Sequence, residues 1–396
     1  MRGLRITIVA GVLLVAAACG GSSSSPHATA PTGTADAPAT PSPTSAPGVV
    51  PASPTSDPAG AGIDGVVALV EDLISRDEFS GVSLIALGDR VAWEAAAGQA
   101  NRESAIPNRM TTRLNLGSMN KMFTAVAVMQ LVEQGKLALD DTIARHLPDY
   151  PNAEVAGSVT IHQLLTHTSG LGDVFTAAFN ANPHDYRSNE DYLPLFVGEP
   201  LLFVPGSGWS YSNAGFVVLG LIVEQVSGAT YDTYVREHIF EPSGMLATGA
   251  YDVEDETPDL AIGYTTVDSE GRETGVLAPH TALMPGRGFA AGGGYSTAGD
   301  LLRFRTALLS HALLDPASTE LLLAGKADVA EGVRYAYGFM DRMDAGVRAV
   351  GHTGGAPGIC SFLWIYPDTD CTIIVLSNSD SGCVPILRYL RDNPLR

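Results

Sequence analysis

The strongest constraint in this sequence is where its strand-like text falls. Two short runs, GVSLIAL and VAWEAAAG, stand near the beginning of the foldable chain, separated by Gly88-Asp89-Arg90, and they predict a hairpin. Three more, RAVGHTGG, GICSFLWIYP and CTIIVLSN, stand near its end, the last two joined by the turn PDTD. A helix is expected ahead of the first pair, where Ile63, Val66, Val67, Val70, Leu73 and Ile74 recur at helical spacing between Gly62 and Phe79. Another is expected behind the last strand, in CVPILRYLRD. Helix and hairpin at one end, three strands and helix at the other, read as two parts of one antiparallel sheet built from both chain ends, with the terminal helices on one face. The expected fold class is α+β, and the stretch from about Asn101 to Ala345 becomes a large, mostly helical insertion.

Helices can be placed within that insertion. One runs from Ser118 to Glu133 and is ended by Gly135; a short one begins at Thr160, reaches Thr166 and is ended by HTSGL. A third, from Gly215 to Val226, is apolar throughout and stops at Ser227-Gly228. TYDTYVREHIF follows it, and TAGDLLRFRTALLS comes after a glycine-rich loop. There is no internal repeat.

With 396 residues, 45% of them hydrophobic, the chain can bury a large core. Its front end is different. Arg2 and Arg5 precede an apolar stretch from Ile6 to Val15 and then small residues up to Cys19, the pattern of a secretory signal too short to span a bilayer as a structural helix. Cys19, directly after Ala16-Ala17-Ala18 and before Gly20-Gly21 and four serines, resembles a bacterial lipoprotein signal in which the cysteine is lipidated and becomes the first residue. The leucine usual three residues before that cysteine is Ala16 here. Residues 20–60 are Ser, Pro, Thr, Ala and Gly with almost no charge, and cannot bury enough surface to fold. The expected organisation is a signal peptide over 1–19, a disordered tether over 20–60 and one folded domain over 61–396, held by a lipid at Cys19 on the outer face of a bacterial membrane.

Forty-three acidic against 23 basic residues give a formal charge of −20, which repels nucleic acid and anionic headgroups. Neither is an expected partner; the membrane is reached only through the anchor. Beyond Cys19 the cysteines are Cys360, Cys371 and Cys383, an odd number for an oxidising compartment, so one pair can bridge and one thiol stay free. The sequence does not choose among them. No cofactor is indicated: there is no Walker loop, dinucleotide fingerprint or G-x-S-x-G elbow, and only His352 lies near the cysteines at metal-ligand spacing. His162 and His167, five apart, fit no metal motif and are expected to pack or cap.

Three short motifs carry chemistry. The chain writes nearly all its positive charge as arginine; Lys121, Lys136 and Lys326 are its lysines. Lys121 lies one helical turn after Ser118, so the two side chains share a face. A serine hydroxyl needs a base to take its proton, and a helix N-terminus favours the negative charge that develops as it attacks. Lysine can be that base when burial lowers its pKa from about 10.4; arginine cannot. In PGSGWSYSNAGFVVLG, Tyr211 and Asn213 are two apart before an apolar helix, so a phenol that relays a proton and an amide that holds a substrate carbonyl can face one cleft. In VGHTGGAPG, His352-Thr353-Gly354-Gly355 lie on a strand where glycines let a ligand approach the backbone. A backbone N–H there, with that of Ser118, can form a two-donor oxyanion pocket. Each motif has a plainer reading: an N-cap serine with an exposed lysine, a turn, a buried histidine before a glycine turn.

Together SMNK, YSN and HTGG occur in the order and spacing of the serine β-lactamase and penicillin-binding superfamily, Tyr211 lying 93 residues after Ser118 and His352 141 after Tyr211. HQLLTHTSGL, HIFEPSGM and GGGYSTAGDLLRF resemble its class C β-lactamase and D-alanyl-D-alanine carboxypeptidase branch, which also contains esterases. The likeness runs from about Gly62 to Asn378. It implies that Ser118 is acylated, Lys121 is its base partner, Tyr211 relays protons and Asn213 binds substrate. His352, with Thr353 and Gly354, stands where many relatives have a K-T-G triad, and Gly355 completes the oxyanion hole with Ser118. Trp209 is expected to wall the pocket, and Arg287 in MPGRGFAAGGG is a further candidate for reaching a substrate carboxylate. The expected function is a cell-envelope serine hydrolase acting through an acyl-enzyme on D-alanyl peptides or related amides and esters, with β-lactams as mimics. A small-acyl esterase is the near alternative, and a non-catalytic module that binds cell-wall peptide the distant one. The partner is then a small-molecule or peptide substrate. Specificity is expected from loops such as Asp173 to Pro200, which carry no readable code.

Overall fold

The computed structural model describes residues 58–255 and 257–395. The signal segment, Cys19 and the tether as far as residue 57 lie outside the described residues. The first helix, α1, spans Pro58–Ser75, starting earlier and stopping sooner than its apolar spacing suggests. Proline suits a first helical turn, and the chain leaves the helix through Asp77 at φ 57°.

The main sheet contains β1 (Gly81–Leu87), β2 (Arg90–Ala97), β3 (Ala327–Ala330), β4 (Val333–Tyr335), β5 (Met340–Asp344), β6 (Val347–Ala356), β7 (Ile359–Tyr366) and β8 (Cys371–Ser377). Their order is β2-β1-β8-β7-β6-β5-β4-β3, with every neighbouring pair antiparallel. Hairpin and C-terminal strands do combine, with β1 lying beside β8. The boundary of the insertion needs correction, because β3, β4 and β5 lie inside the stretch ending at Ala345 and widen the sheet at its edge. ADVA, VRY and MDRMD are short and polar, so neither alternation nor an apolar run announces them. Edge strands of this kind are formed by pairing with a neighbour rather than by their own sequence.

Four further helices position the site: α2 (Asn120–Glu133), α3 (Ile161–Leu165), α4 (Asn213–Ser227) and α5 (Ala298–Leu309); α6 (Val384–Asp392) closes the chain. Side chains alternate across the sheet. Ile85, Phe362, Trp364, Ile373 and Val375 meet Val66, Val70 and Leu73 of α1 and Ile386 and Leu390 of α6. Val82, Leu84, Leu363, Ile374 and Leu376 face the other way, into a core with α2, α4 and α5. Both faces are covered, which is why the central strands read as unbroken apolar runs. Every residue of α2 from Asn120 to Leu131 is buried, Lys121 among them. The pairing that the sequence leaves open is Cys360 with Cys383, 5.4 Å between Cα atoms, joining the start of β7 to the N-terminus of α6. Cys371 stays a buried thiol, its pKa pushed up to about 12 chiefly by burial.

Candidate active site

Ser118 occupies a single 3₁₀ turn, Gly117–Met119, directly ahead of α2. Its side chain caps nothing, since the N-cap of α2 is Met119, and Lys121 is fully buried. The plain reading of this motif, a capping serine beside an exposed lysine, therefore does not describe the structure. Gly117 has φ +51°, and a β-carbon there would stand 2.9 Å from the Gly355 nitrogen. One on Gly354 would stand 1.9 Å from the Leu116 carbonyl oxygen. The nucleophile turn and β6 thus touch backbone to backbone, which only glycine at these positions permits. A glycine-rich loop closes the other side: Leu116 N–H donates to the Gly294 carbonyl at 2.7 Å, and the Asn120 amide to the Phe289 carbonyl at 3.2 Å.

Lys121 Nζ lies 3.2 Å from Ser118 Oγ, 2.7 Å from Asn213 Oδ1 and 2.6 Å from the Ala291 carbonyl oxygen. The two carbonyl-type oxygens can only accept, so they hold two of the three ammonium protons. The third position faces Ser118. When Lys121 loses a proton, its lone pair is left pointing at the one neighbour with a proton to give. Burial lowers the Lys121 pKa to about 7, with the Asp173 charge pulling the other way. The ammonium also sits 4.7 Å from the centre of the Tyr211 ring and 5.5 Å from that of Phe216.

Asn213 is the first residue of α4, behind an N-cap in which Ser212 Oγ accepts from Gly215 N–H at 3.0 Å. While its Oδ1 faces Lys121, its Nδ2 lies 3.0 Å from each carboxylate oxygen of Asp173. Asp173 is half-buried; desolvation raises its pKa, against hydrogen bonds from Asn213, Phe175 and Val174. Its place at the start of the loop Asp173 to Pro200 gives no sign of this role in the sequence.

The Tyr211 phenol is pushed above its ordinary pKa by burial, with a hydrogen bond to Ser118 easing the shift. It keeps its proton near neutrality, so it can pass one on but does not rest as a phenolate. His167, expected to pack or cap, does both: its ring lies 4.4 Å from those of Tyr211 and Tyr335, and its Nδ1 accepts from the Ser212 N–H at 3.1 Å. Trp209 packs beside His167 and Tyr335.

His352 is buried on β6 with both ring nitrogens engaged. Nδ1 lies 2.5 Å from the Thr353 carbonyl oxygen, and Nε2 lies 2.9 Å from the hydroxyl of Tyr335. Tyr335 lies on β4, inside the stretch expected to be a helical insertion. Thr353 is half-buried, and Gly355 borders open space, with nothing within 4 Å of where a β-carbon would sit. Arg287 is held by Asp232, its Nε 2.8 Å from the carboxylate. Ser118, Lys121, Tyr211, Asn213, His352 and the glycines thus converge, while Arg287 is turned to another partner. Among the described residues no group of His, Cys, Asp and Glu is arranged to hold a metal ion.

Residues 66–392 match the family described as beta-lactamase. The chain is 33% identical over 328 residues to a penicillin-binding protein of Bacillus subtilis, an alignment covering 79% of this chain and 71% of that one. It is 32% identical over 353 residues to the esterase EstB of Burkholderia gladioli, covering 78% and 89%. The crystal structure of a penicillin binding protein from Bacillus halodurans superposes with a TM-score of 0.74 at 33% identity, covering 81% of this chain and 98% of that one.

Proposed function

The chain belongs to the beta-lactamase family and is a serine hydrolase, and from that premise we propose that Ser118 forms an acyl-enzyme with D-alanyl peptides or related amides and esters. The observation that carries this reading is the contact of Ser118 Oγ with Lys121 Nζ at 3.2 Å, inside a site that brings the lysine pKa to about 7. Neutral Lys121 takes the hydroxyl proton as Ser118 attacks the substrate carbonyl. The N–H groups of Ser118 and Gly355 receive the oxyanion. Tyr211 gives its phenol proton to the departing group and regains one from the Lys121 ammonium; Lys121, neutral again, then draws a proton from the water that releases the acyl group and returns it to Ser118 Oγ. β-Lactams enter as mimics whose opened ring stays on the serine.

The esterase reading is favoured by one observation: His352 has no ring N–H left over for a substrate carboxylate. The binding-module reading leaves a buried lysine beside a serine hydroxyl without a purpose, at the desolvation cost such a group carries. We also propose export and lipidation at Cys19, on the strength of residues 1–19. An alkyne-tagged fatty acid fed to an expressing bacterium should label the protein and leave Cys19→Ala unlabelled.

The test of the hydrolase reading is an intact-mass time course of the protein with a penicillin and, separately, an activated short-chain ester, alongside Ser118→Ala. Adducts or turnover that vanish in the variant support it. Turnover of the ester alone moves the assignment to esterase, and no reaction with either leaves Ser118 without its role.

A further inference from the structure

Deepening the reading above, and resting on it, we propose that this cleft selects substrates that carry no carboxylate beside His352, so that its natural substrates are esters or amides uncharged on that side. The position of the proton on the imidazole decides what His352 can offer. The Thr353 carbonyl oxygen can only accept a hydrogen bond, so at 2.5 Å the proton must sit on Nδ1. Nε2 then carries the lone pair and accepts from the Tyr335 hydroxyl at 2.9 Å. Tyr335 is completely buried and holds its proton firmly. In this arrangement neither ring nitrogen has a hydrogen to offer a ligand.

Protonating the ring would require Tyr335 to turn from donor to acceptor. Burial, aided by the charge of Lys121, holds the His352 pKa down to about 3. A residue that the family resemblance sets in the place of a cationic anchor is therefore neutral and already satisfied.

Neither Lys121 nor Arg287 takes over. Lys121 is committed to Ser118, Asn213 and Ala291. Arg287 faces Asp232. Behind Asn213 lies Asp173, an acidic group whose field opposes a second carboxylate entering the same cleft. A carboxylate brought to β6 could use hydroxyl and N–H donors but would find no cation there to offset the hydration it loses. A neutral carbonyl or ether oxygen asks only for hydrogen-bond donors, and the half-buried Thr353 hydroxyl and the open backbone at Gly355 are suited to provide them.

The experiment compares substrates that differ in one charge. The first pair is an N-acylated peptide ending in D-alanyl-D-alanine and its terminal carboxamide; the second is 3-acetoxybenzoate and its methyl ester. We expect the uncharged member to have the higher kcat/KM by about tenfold or more, the ratio that 1.4 kcal/mol of uncompensated desolvation gives. Equal rates, or preference for the carboxylate, would overturn the inference. His352→Lys should restore an ammonium and shrink the ratio; a folded His352→Lys protein with an unchanged ratio removes His352 as its cause. Should that variant not fold, the wild-type comparison still decides. Labelling of Ser118 by either acetoxy ester, read by mass, separates the hydrolase reading from the charge preference. If Ser118 is labelled but the carboxylate is preferred, the inference falls and the hydrolase stands; if neither ester labels it, both fall.

Discussion

Lys121 and Lys326 occupy two regions with much in common. Lys121 Nζ donates to the Ala291 carbonyl and lies 4.7 Å from the centre of the Tyr211 ring. Lys326 Nζ donates to the carbonyls of Leu321 and Ala324 and lies 4.1 Å from that of Tyr337. Burial lowers both pKa values, to about 7 and about 8. The difference lies in what surrounds them. Lys326 serves backbone oxygens at the end of the helix Pro316–Leu323, where carbonyls lack helical partners and a cation is favoured. Those oxygens can never return a proton. Lys121 has one neighbour, Ser118, that is able to do so. A depressed pKa marks burial; a base is marked by a partner that can give up a hydrogen.

The comparison can be broken most severely at the nucleophile. Ser118→Ala should abolish covalent labelling and reduce turnover by about 10,000-fold or more. Lys121→Met and Lys121→Arg should each cost on the order of 1,000-fold in kcat/KM, since neither side chain can take a proton, whereas Lys326→Met should stay within about twofold. A comparable loss at Lys326 would mean that burial and not the serine contact defines the base.

A pH profile sharpens the same contrast. The active form of Lys121 is neutral, and its pKa lies below the ordinary value, so kcat/KM should rise as pH passes upward through about 7 and hold above it. Around Lys121, Asp173 raises its pKa, while Ser118, Tyr211, Asn213, His167 and His352 complete the polar neighbourhood. Asp173→Asn should therefore move the acid limb to lower pH, by about one unit or less. An unmoved limb in a folded variant would detach Asp173 from the lysine. The smallest effect belongs to Lys326→Met in stability: about 1 kcal/mol for two lost hydrogen bonds to carbonyls, visible as a modest drop in Tm.

The site's members are more legible in the sequence than their supports. SMNK, YSN and HTGG announce themselves because the chemistry demands fixed residue types at short spacing. Asp173 and Tyr335 do not: each acts through another side chain, at a distance along the chain that no local pattern encodes. The carbonyl of Ala291 could not have been found by residue type at all, since every residue carries one. In the fold, the central strands and terminal helices are legible because burial on both faces imposes long apolar runs. β3, β4 and β5 are held by pairing at an open edge, which leaves the composition free to look like loop.

The adjacency of β1 and β8 has a consequence for how the chain must be assembled. Val82 lies opposite Leu376 and Ile85 opposite Ile373, so the first strand made is completed by the last. A nascent chain that has already formed its helices still presents β1 with one unpaired edge until its final residues are available. Closing so long a loop is slow. A ribosome-stalled or C-terminally truncated chain lacking β8 would expose the edges of β1 and β7 together, two apolar templates for aggregation rather than a smaller version of the domain.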